Sequence, residues 1–471
     1  MATAWESGAT HPDWHTIKWK PSAEKRDALI TAVQADTSVL ARSPHVAHRW
    51  QTRGNRLVAL GYPDIAAGDA YKATLLCVKS LEYLTSPSLI RRNQDTHQLA
   101  YRTLLHALKH LHCDHDALVY CREAQNAYPR NRVFKKSLKH LERHKIKTEL
   151  GFVARKPFFP WTAPQHLCRQ PQILELAREE FEANLADESR GFTAACELSK
   201  TPLARSAARG EKRKSRFRDA EDAETPDLSK IREDSYGVYA AKDVQAGELL
   251  LLDHTVIGYA SGAEETINHC ANCYADTPHP LYAGCCDAVF CSGTCENLSL
   301  NEYHKVMCGK DLSWLRKGDH LQWLLFRCLA MVVQADVHPL DHPLVARLTA
   351  RSSARPEPFS FIECIVKPLR MLDTFGADFF QPQYDTSVLV TLQTRISTNY
   401  WNCGVYKRNQ RIRECSGVNP LYSFFNHSCQ ANGEWNSNNS TTIVVTALED
   451  IKKGEEITIA YVAVHGRDRK R

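Results

Sequence analysis

LYSFFNHSCQANGEWN, from Leu421 to Asn436, places two aromatics, an Asn-His-Ser-Cys run and two further asparagines directly after an apolar segment. Three chemistries use such a grouping: a Cys–His nucleophile, a metal site, or a buried polar turn that grips a cofactor. The nucleophile fits worst. His427 and Cys429 are two residues apart, which in an extended strand puts both on one side with little freedom to meet. No acid nearby would orient the imidazole, and such dyads draw their members from distant segments. Simple core packing of the His and Cys leaves the asparagines unexplained. The cofactor-gripping turn is the reading that the rest of the chain supports.

Downstream, TTIVVTALEDIKKGEEITIAYV (Thr441–Val462) reads as strand–turn–strand and ends on Tyr461. Far upstream, YGVYAAKDVQAGELLLLDHTVIGYA (Tyr236–Ala260) has Gly247 between two apolar runs, which predicts a β-hairpin. Residues 311–395 between them are mostly helical, with WLLFRCLAMVVQA (Trp323–Ala335) as a buried helix. Two β-rich halves are thus separated by inserts.

The first insert is rich in cysteine. Of 17 cysteines in the chain, seven fall at 270, 273, 285, 286, 291, 295 and 308. In an intracellular protein they read as metal ligands and not as disulfides. Cys270-x2-Cys273 and Cys291-x3-Cys295 can each place two thiolates on one tetrahedral zinc, and His304-x3-Cys308 fits one face of a helix. With His304 there are eight potential ligands, enough for two ions. Adjacent Cys285 and Cys286 point apart in extended backbone, so both could hold one ion only across a distorted turn. Four thiolates on one zinc leave no open position, which makes that ion structural.

Residues 25–150 read as helical throughout. Leu57, Leu60, Gly61 and Ala73, then Ala117, Ala124 and Pro129, resemble the landmarks of tetratricopeptide units, with alanines that let helices approach closely. Ala73 and Ala117 are 44 residues apart, against a regular repeat of roughly 34, so the choice stands between irregular repeats and an amphipathic helical bundle. Residues 151–230 read as a connector, Pro-rich at first, with a helical stretch near Ile173–Leu185. It then becomes a charged linker, Arg205–Asp227, basic before acidic. Within it KRKSRFR (Lys212–Arg218) has the composition of a nuclear import signal.

The length of 471 residues predicts two or three domains. No apolar run long enough to span a membrane occurs, and the N-terminus lacks the apolar core of a secretory signal, so an intracellular protein is expected. A net charge of +6 is mild and, without an aromatic–basic stripe, argues against direct nucleic-acid binding.

Taken together, SYGVYAAKDVQAGELL, FFNHSC with Asn432, and GEEITIAY ending on Tyr461 resemble the SET domain of lysine methyltransferases, over about Ile231–Val462. The Cys/His order resembles a MYND zinc finger, and a SET domain split by such a finger is similar to the SET–MYND class. The resemblance implies an α+β multidomain protein. It would have a tetratricopeptide-like region (25–150) and a connector (151–230). The SET domain's first half would span 231–262, the finger 270–308, a helical insert 311–395 and the catalytic half 396–464. S-adenosylmethionine would be the cofactor, held by Tyr236, Gly237, Asn399, Asn426, His427 and Tyr461, with Tyr461 also catalytic. Asn402 is the alternative to Asn399. One or two structural Zn2+ would sit on Cys270, Cys273, Cys291 and Cys295, and on Cys285, His304 and Cys308; Cys285 stands at the family's spacing before Cys291.

The implied activity is methylation of lysine on histones or other proteins, in nucleus or cytoplasm, with peptide partners on the finger or helical repeats. Relatives carry a Cys-rich segment after the tyrosine, whereas here no cysteine follows Cys429. That difference keeps a rival expectation open: a scaffold that retains the SET fold without turnover.

Overall fold

The computed structural model describes residues 22–461 apart from 144–149, 154–158, 187–192, 202–235, 262–268, 316–318, 350–356, 408–409 and 438–439. The charged linker 205–227 and everything after Tyr461 lie outside the described residues.

Six helices open the chain: α1 (Ala23–Arg42), α2 (Ala47–Leu60), α3 (Pro63–Leu81), α4 (Pro87–His110), α5 (Asp114–Ala127) and α6 (Arg132–Arg143). Their ends are set by local chemistry. Proline occupies the first turn of α3 and of α4, where its fixed φ suits a helix start and its missing N–H is not needed. Gly61 closes α2 at φ 81°, a left-handed conformation that glycine adopts without strain. Ala66, Ala67, Ala70 and Ala73 are fully buried along α3, small enough for α2 and α4 to pack closely on either side.

The segment expected as connector holds ordered elements: β1 (Gly151–Val153), α7 (Pro171–Ala183) and β2 (Cys196–Lys200). Next come β3 (Tyr236–Ala240), β4 (Leu249–Asp253) and β5 (Ile257–Ser261). The cysteine-rich insert contributes β6 (Leu281–Tyr282), β7 (Val289–Phe290), α8 (Gly293–Glu302) and α9 (His304–Met307). The helical insert holds α10 (His320–Ala335), α11 (Pro343–Ala346), β8 (Glu357–Phe359), α12 (Lys367–Thr374) and α13 (Thr386–Asn399). It ends at Asn399, a turn later than expected. The last stretch is β9 (Trp401–Lys407), β10 (Gln410–Val418), β11 (Asn426–His427), β12 (Gly433–Asn436), β13 (Ile443–Ala447) and β14 (Glu456–Ile459).

The larger sheets run β5-β10-β9, β11-β14-β3-β2 and β12-β13-β4. The hairpin expected around Gly247 does not form. Gly247 does turn the chain, at φ 85°, but β3 pairs with β14 while β4 pairs with β13. The segment 236–253 instead lies along the segment 443–459, bridged midway at Val244 and Ile451. Alternation marks the buried face of a strand but not the strand across from it. In the same way β2, which the sequence left in the connector, completes the sheet by pairing antiparallel with β3.

Two large apolar cores and two smaller ones form among the described residues. One knits α1–α5 to α10, α12 and α13; Leu104, Phe361 and Leu392 are fully buried in it. The other large one lies between the sheets around Val238, Leu251, Phe425 and Ile457. Where the helical region meets α13, an ionic cluster is sealed in. Arg53 is 1% exposed and donates to both carboxylate oxygens of Asp69 at 2.7 Å and to Asp385 at 2.5 Å. Lys72 donates to the Tyr384 carbonyl at 2.8 Å, and the Trp50 ring lies against both cations.

Candidate functional site

The stretch around Asn426 forms a short strand, β11, against the end of β14. Asn426 and His427 pair in parallel with Thr458 and Ile459 of β14, and the Ser428 amide donates to the Ile459 carbonyl. The Asn426 side-chain amide donates to Glu456 at 2.8 Å and to the Tyr236 carbonyl at 3.3 Å. Gly237 lies directly beneath: a Cβ there would come within 2.8 Å of Asn426 Nδ2 and 2.9 Å of Glu456 Oε1. That close approach requires glycine. The buried Thr201 hydroxyl beside Gly237 has no hydrogen-bond partner among the described residues. Polar atoms of Asn426, Glu456 and Thr201 thus crowd one face of Gly237.

Tyr461 is brought to the same turn from the far end of β14. Its hydroxyl donates to the Phe425 carbonyl at 2.5 Å, its amide donates to His427 Nδ1 at 3.1 Å, and the residue is 55% exposed. Asn432 braces β14 by accepting from the Thr458 amide and donating to the Glu456 carbonyl. Tyr236, Gly237, Asn426, His427 and Tyr461 are therefore gathered around β11, β3 and the end of β14. Asn399 is not drawn in by any described contact. At the last turn of α13 its amide donates to the Thr349 and Arg395 carbonyls at 2.8 and 2.7 Å. Asn402 lies on β9 opposite Ser416.

His427 and Cys429 do meet, contrary to expectation: a turn after Ser428 brings Cys429 Sγ to 3.4 Å from His427 Nε2. The pair is still the wrong kind for nucleophilic catalysis. Because Nδ1 accepts from the Tyr461 amide, the neutral imidazole carries its proton on Nε2 and has no lone pair there to take the thiol proton.

One residue that the sequence did not single out supports the turn from below. Asp253, at the end of β4 and 4% exposed, accepts with Oδ2 from the Leu421 and Tyr422 amides, both at 2.8 Å. Asn419 completes the support, accepting from Trp401 Nε1 at 2.7 Å and donating to the Asp253 carbonyl at 2.8 Å. Burial pushes the Asp253 carboxyl up to about 7, against the pull of the two amides. A folded-state value above the ordinary one of roughly 3.9 means the folded protein holds this proton longer than the unfolded chain, so stability falls as pH rises from about 4 to about 7. Asp253→Asn keeps an oxygen for the amides and removes the titration. Urea midpoints measured across that window should flatten in the variant, by up to about 1.4 kcal/mol per pH unit relative to wild type. Parallel pH curves for the two proteins would exclude Asp253 as their source.

The cysteine-rich insert forms two separate ligand clusters. Cys270, Cys273, Cys291 and Cys295 make one; Cys285, Cys286, His304 and Cys308 make the other. Sulfur separations of 3.6 Å for Cys273–Cys291 and Cys291–Cys295 match the edge of a tetrahedron with Zn–S bonds of about 2.3 Å, roughly 3.8 Å. In the second cluster Cys285 and Cys286 lie 3.3 and 3.4 Å from His304 Nε2, and Cys308 lies 3.7 Å from Cys285. Cys286 thus joins a set from which the sequence reading omitted it. The turn between β6 and β7 supplies the distortion that adjacent ligands require. Ser292 caps α8 by accepting from the Cys295 amide, and Asn272 donates to Cys295 Sγ at 3.7 Å, an outer contact that fixes the ligand. The donor sets suit zinc, with no position open for catalysis in either.

The SET domain family matches residues 235–462. The SET domain-containing protein SmydA-8, isoform A, of Drosophila melanogaster is 23% identical over 235 residues, 48% of each chain. A SET and MYND domain-containing protein of Dictyostelium discoideum is 41% identical over 61 residues, 13% of this chain and 9% of that one. The protein-lysine N-trimethyltransferase SMYD5 of Mus musculus is 49% identical over 59 residues, 12% of this chain and 14% of that one. The matched regions span half or less of each of these relatives. With its strands, its Asn-His turn and its two inserted clusters in that order, residues 235–462 are a SET domain, and the chain is homologous to SET–MYND proteins, its cysteine clusters resembling their zinc finger.

Proposed function

We propose that this protein is a protein-lysine N-methyltransferase that uses S-adenosylmethionine on lysines of histones or other proteins, in the nucleus or cytoplasm. The observation that carries the reading is the convergence of Gly237, Asn426, His427 and Tyr461 on one turn, Gly237 from about 190 residues upstream and Tyr461 from 34 residues downstream of His427. Bound there, the cofactor would supply a methyl group on a sulfonium.

This chain's residues then have distinct tasks. Asn426, its amide anchored by Glu456, would hold the cofactor, and Gly237 leaves room for the Asn426 side chain beside Tyr236. His427 ties the Tyr461 backbone to the turn, so that the tyrosine is aimed by two contacts. The Tyr461 hydroxyl, its proton committed to the Phe425 carbonyl, presents its oxygen to the substrate nitrogen and aligns the amine, which must be neutral to attack. Zinc on the two clusters would fold the finger at 270–308, and residues 25–150 would serve as a tetratricopeptide-like platform.

Calorimetric titration of the zinc-loaded protein with S-adenosylmethionine tests the site, and methyl transfer to protein lysines tests the activity. Wild type should bind, and Asn426→Ala should bind more weakly. Tyr461→Phe should bind as wild type while transfer falls by on the order of 100-fold or more. Absence of binding, or full transfer by Tyr461→Phe, would refute the assignment.

A peptide-binding scaffold is the second reading. It is favoured by a cleft of about 470 Å3 between α4, α5 and α6, lined by Arg102, His106, Lys109, Phe134 and His140. In that case Tyr461→Phe leaves every partner interaction unchanged and no methyl transfer is found in wild type.

A further inference from the structure

Beyond the cysteine clusters, a third group of metal-ligating side chains is assembled from segments far apart in sequence. His166 ends the helical turn Pro164–His166 in the connector, while His338 and Asp341 lie in the loop between α10 and α11. One nitrogen from each imidazole and one carboxylate oxygen all lie within 4.8 Å of one another. His166 Nε2 is 2.7 Å from Asp341 Oδ1, and His338 Nδ1 is 3.9 Å from Asp341 Oδ2. The two imidazoles lie nearly parallel with centroids 4.5 Å apart.

Two imidazoles and one carboxylate around a common point form a donor set for a borderline divalent transition metal. With metal–ligand bonds of about 2.1 Å, neighbouring ligands of an octahedral ion lie about 3 Å apart, a spacing that the two measured separations bracket. The surroundings hold the set in place. Arg395 of α13 donates to the His166 carbonyl at 2.9 Å and to the Val345 carbonyl at 3.1 Å, which fixes the backbone on both sides. The Leu340 amide donates to His338 Nδ1 at 3.2 Å, which marks Nδ1 as the unprotonated nitrogen, the one a metal would take in place of that hydrogen bond. Exposure is graded: the His166 side chain is 7% exposed, that of His338 26% and that of Asp341 50%. One side of the cluster is therefore sealed, and the other is open for water to complete a coordination sphere.

We propose that His166, His338 and Asp341 form a third metal site, independent of the cysteine clusters. It takes a divalent transition cation such as Co2+, Ni2+ or Zn2+ and clips the connector to the helical insert. Magnesium and calcium, which prefer all-oxygen shells, are excluded by the imidazoles.

The test is a Co2+ titration of the metal-stripped full chain, followed by absorption and by total metal analysis. Thiolate ligands give sulfur-to-cobalt charge-transfer bands, which a nitrogen and oxygen set does not. Wild type should bind one equivalent of Co2+ more than its thiolate bands account for. His338→Gln and Asp341→Asn should each lose that equivalent while the thiolate bands stay unchanged. Asp341, half exposed, accepts asparagine without repacking, so the test stands even where the histidine variant fails to fold. Bound cobalt fully accounted for by thiolate bands in wild type, or an extra equivalent that survives Asp341→Asn, would overturn the proposal.

Discussion

Asp385→Ala is expected to lower the folding stability of this protein by about 3–5 kcal/mol, because it leaves a buried guanidinium partly uncompensated. Arg53 is held between Asp69 and Asp385 with almost no access to water. Asp385 also starts α13 by accepting from the Ser387 amide at 3.0 Å and hydroxyl at 2.7 Å. Both the helix cap and the ion pair are lost with one side chain.

Burial opposes the Asp385 charge, but Arg53 and then Lys72 outweigh it and hold the carboxyl down at about 2. A folded-state value below the ordinary one means that this stabilisation is complete above about pH 4 and is lost as pH falls through about 2. The deficit of Asp385→Ala is compared at one fixed neutral pH, because burial raises Asp69 to about 6 and lowers Lys72 to about 8 in the same cluster. Urea denaturation of wild type, Asp385→Ala and the double variant Arg53→Met/Asp385→Ala measures it. The double variant should recover part of the loss, since the orphaned charge has gone. A single-variant deficit under about 1 kcal/mol would mean that Asp69 alone satisfies Arg53.

Removal of zinc should act on an even larger scale. Structural zinc contributes about 10–16 kcal/mol of apparent binding energy in finger peptides, and the core of this module outside its metal ligands is small: Ala283, Phe290 and Tyr303 are its buried apolar side chains. Cys273→Ser, or a strong chelator, is expected to unfold the region 270–308 and lower the melting temperature of the whole protein.

The effect should spread because the finger is stitched to the SET domain by backbone contacts. The Thr441 amide donates to the Cys273 carbonyl at 2.8 Å. Arg327 of α10 donates to the Ala271 carbonyl at 3.1 Å, and Arg413 of β10 donates to the Tyr274 carbonyl at 2.8 Å. Readdition of Zn2+, and not of Mg2+, should restore the transition after chelation. A melting curve unchanged after metal analysis shows the clusters empty would rule out a folding role for zinc.

Chemistry carried within a few residues was legible in the sequence. The ligand pairs Cys270–Cys273 and Cys291–Cys295, the turn at Gly247 and the Asn426–His427 run each depend on neighbours along the chain. Local geometry constrains such groups whatever surrounds them. The tertiary structure alone decided the rest. It paired β3 with β14 and β4 with β13 in place of a hairpin, because alternation tells a strand's buried face and not its partner. It brought Cys286 into the second cluster by bending a turn. It set Asp253 under Leu421, Asp385 beside Arg53 and Asp341 against His166, pairs separated by more than 160 residues. A lone charged or polar residue reads as surface until the fold buries it, and only the packing of distant segments determines which partner then satisfies it.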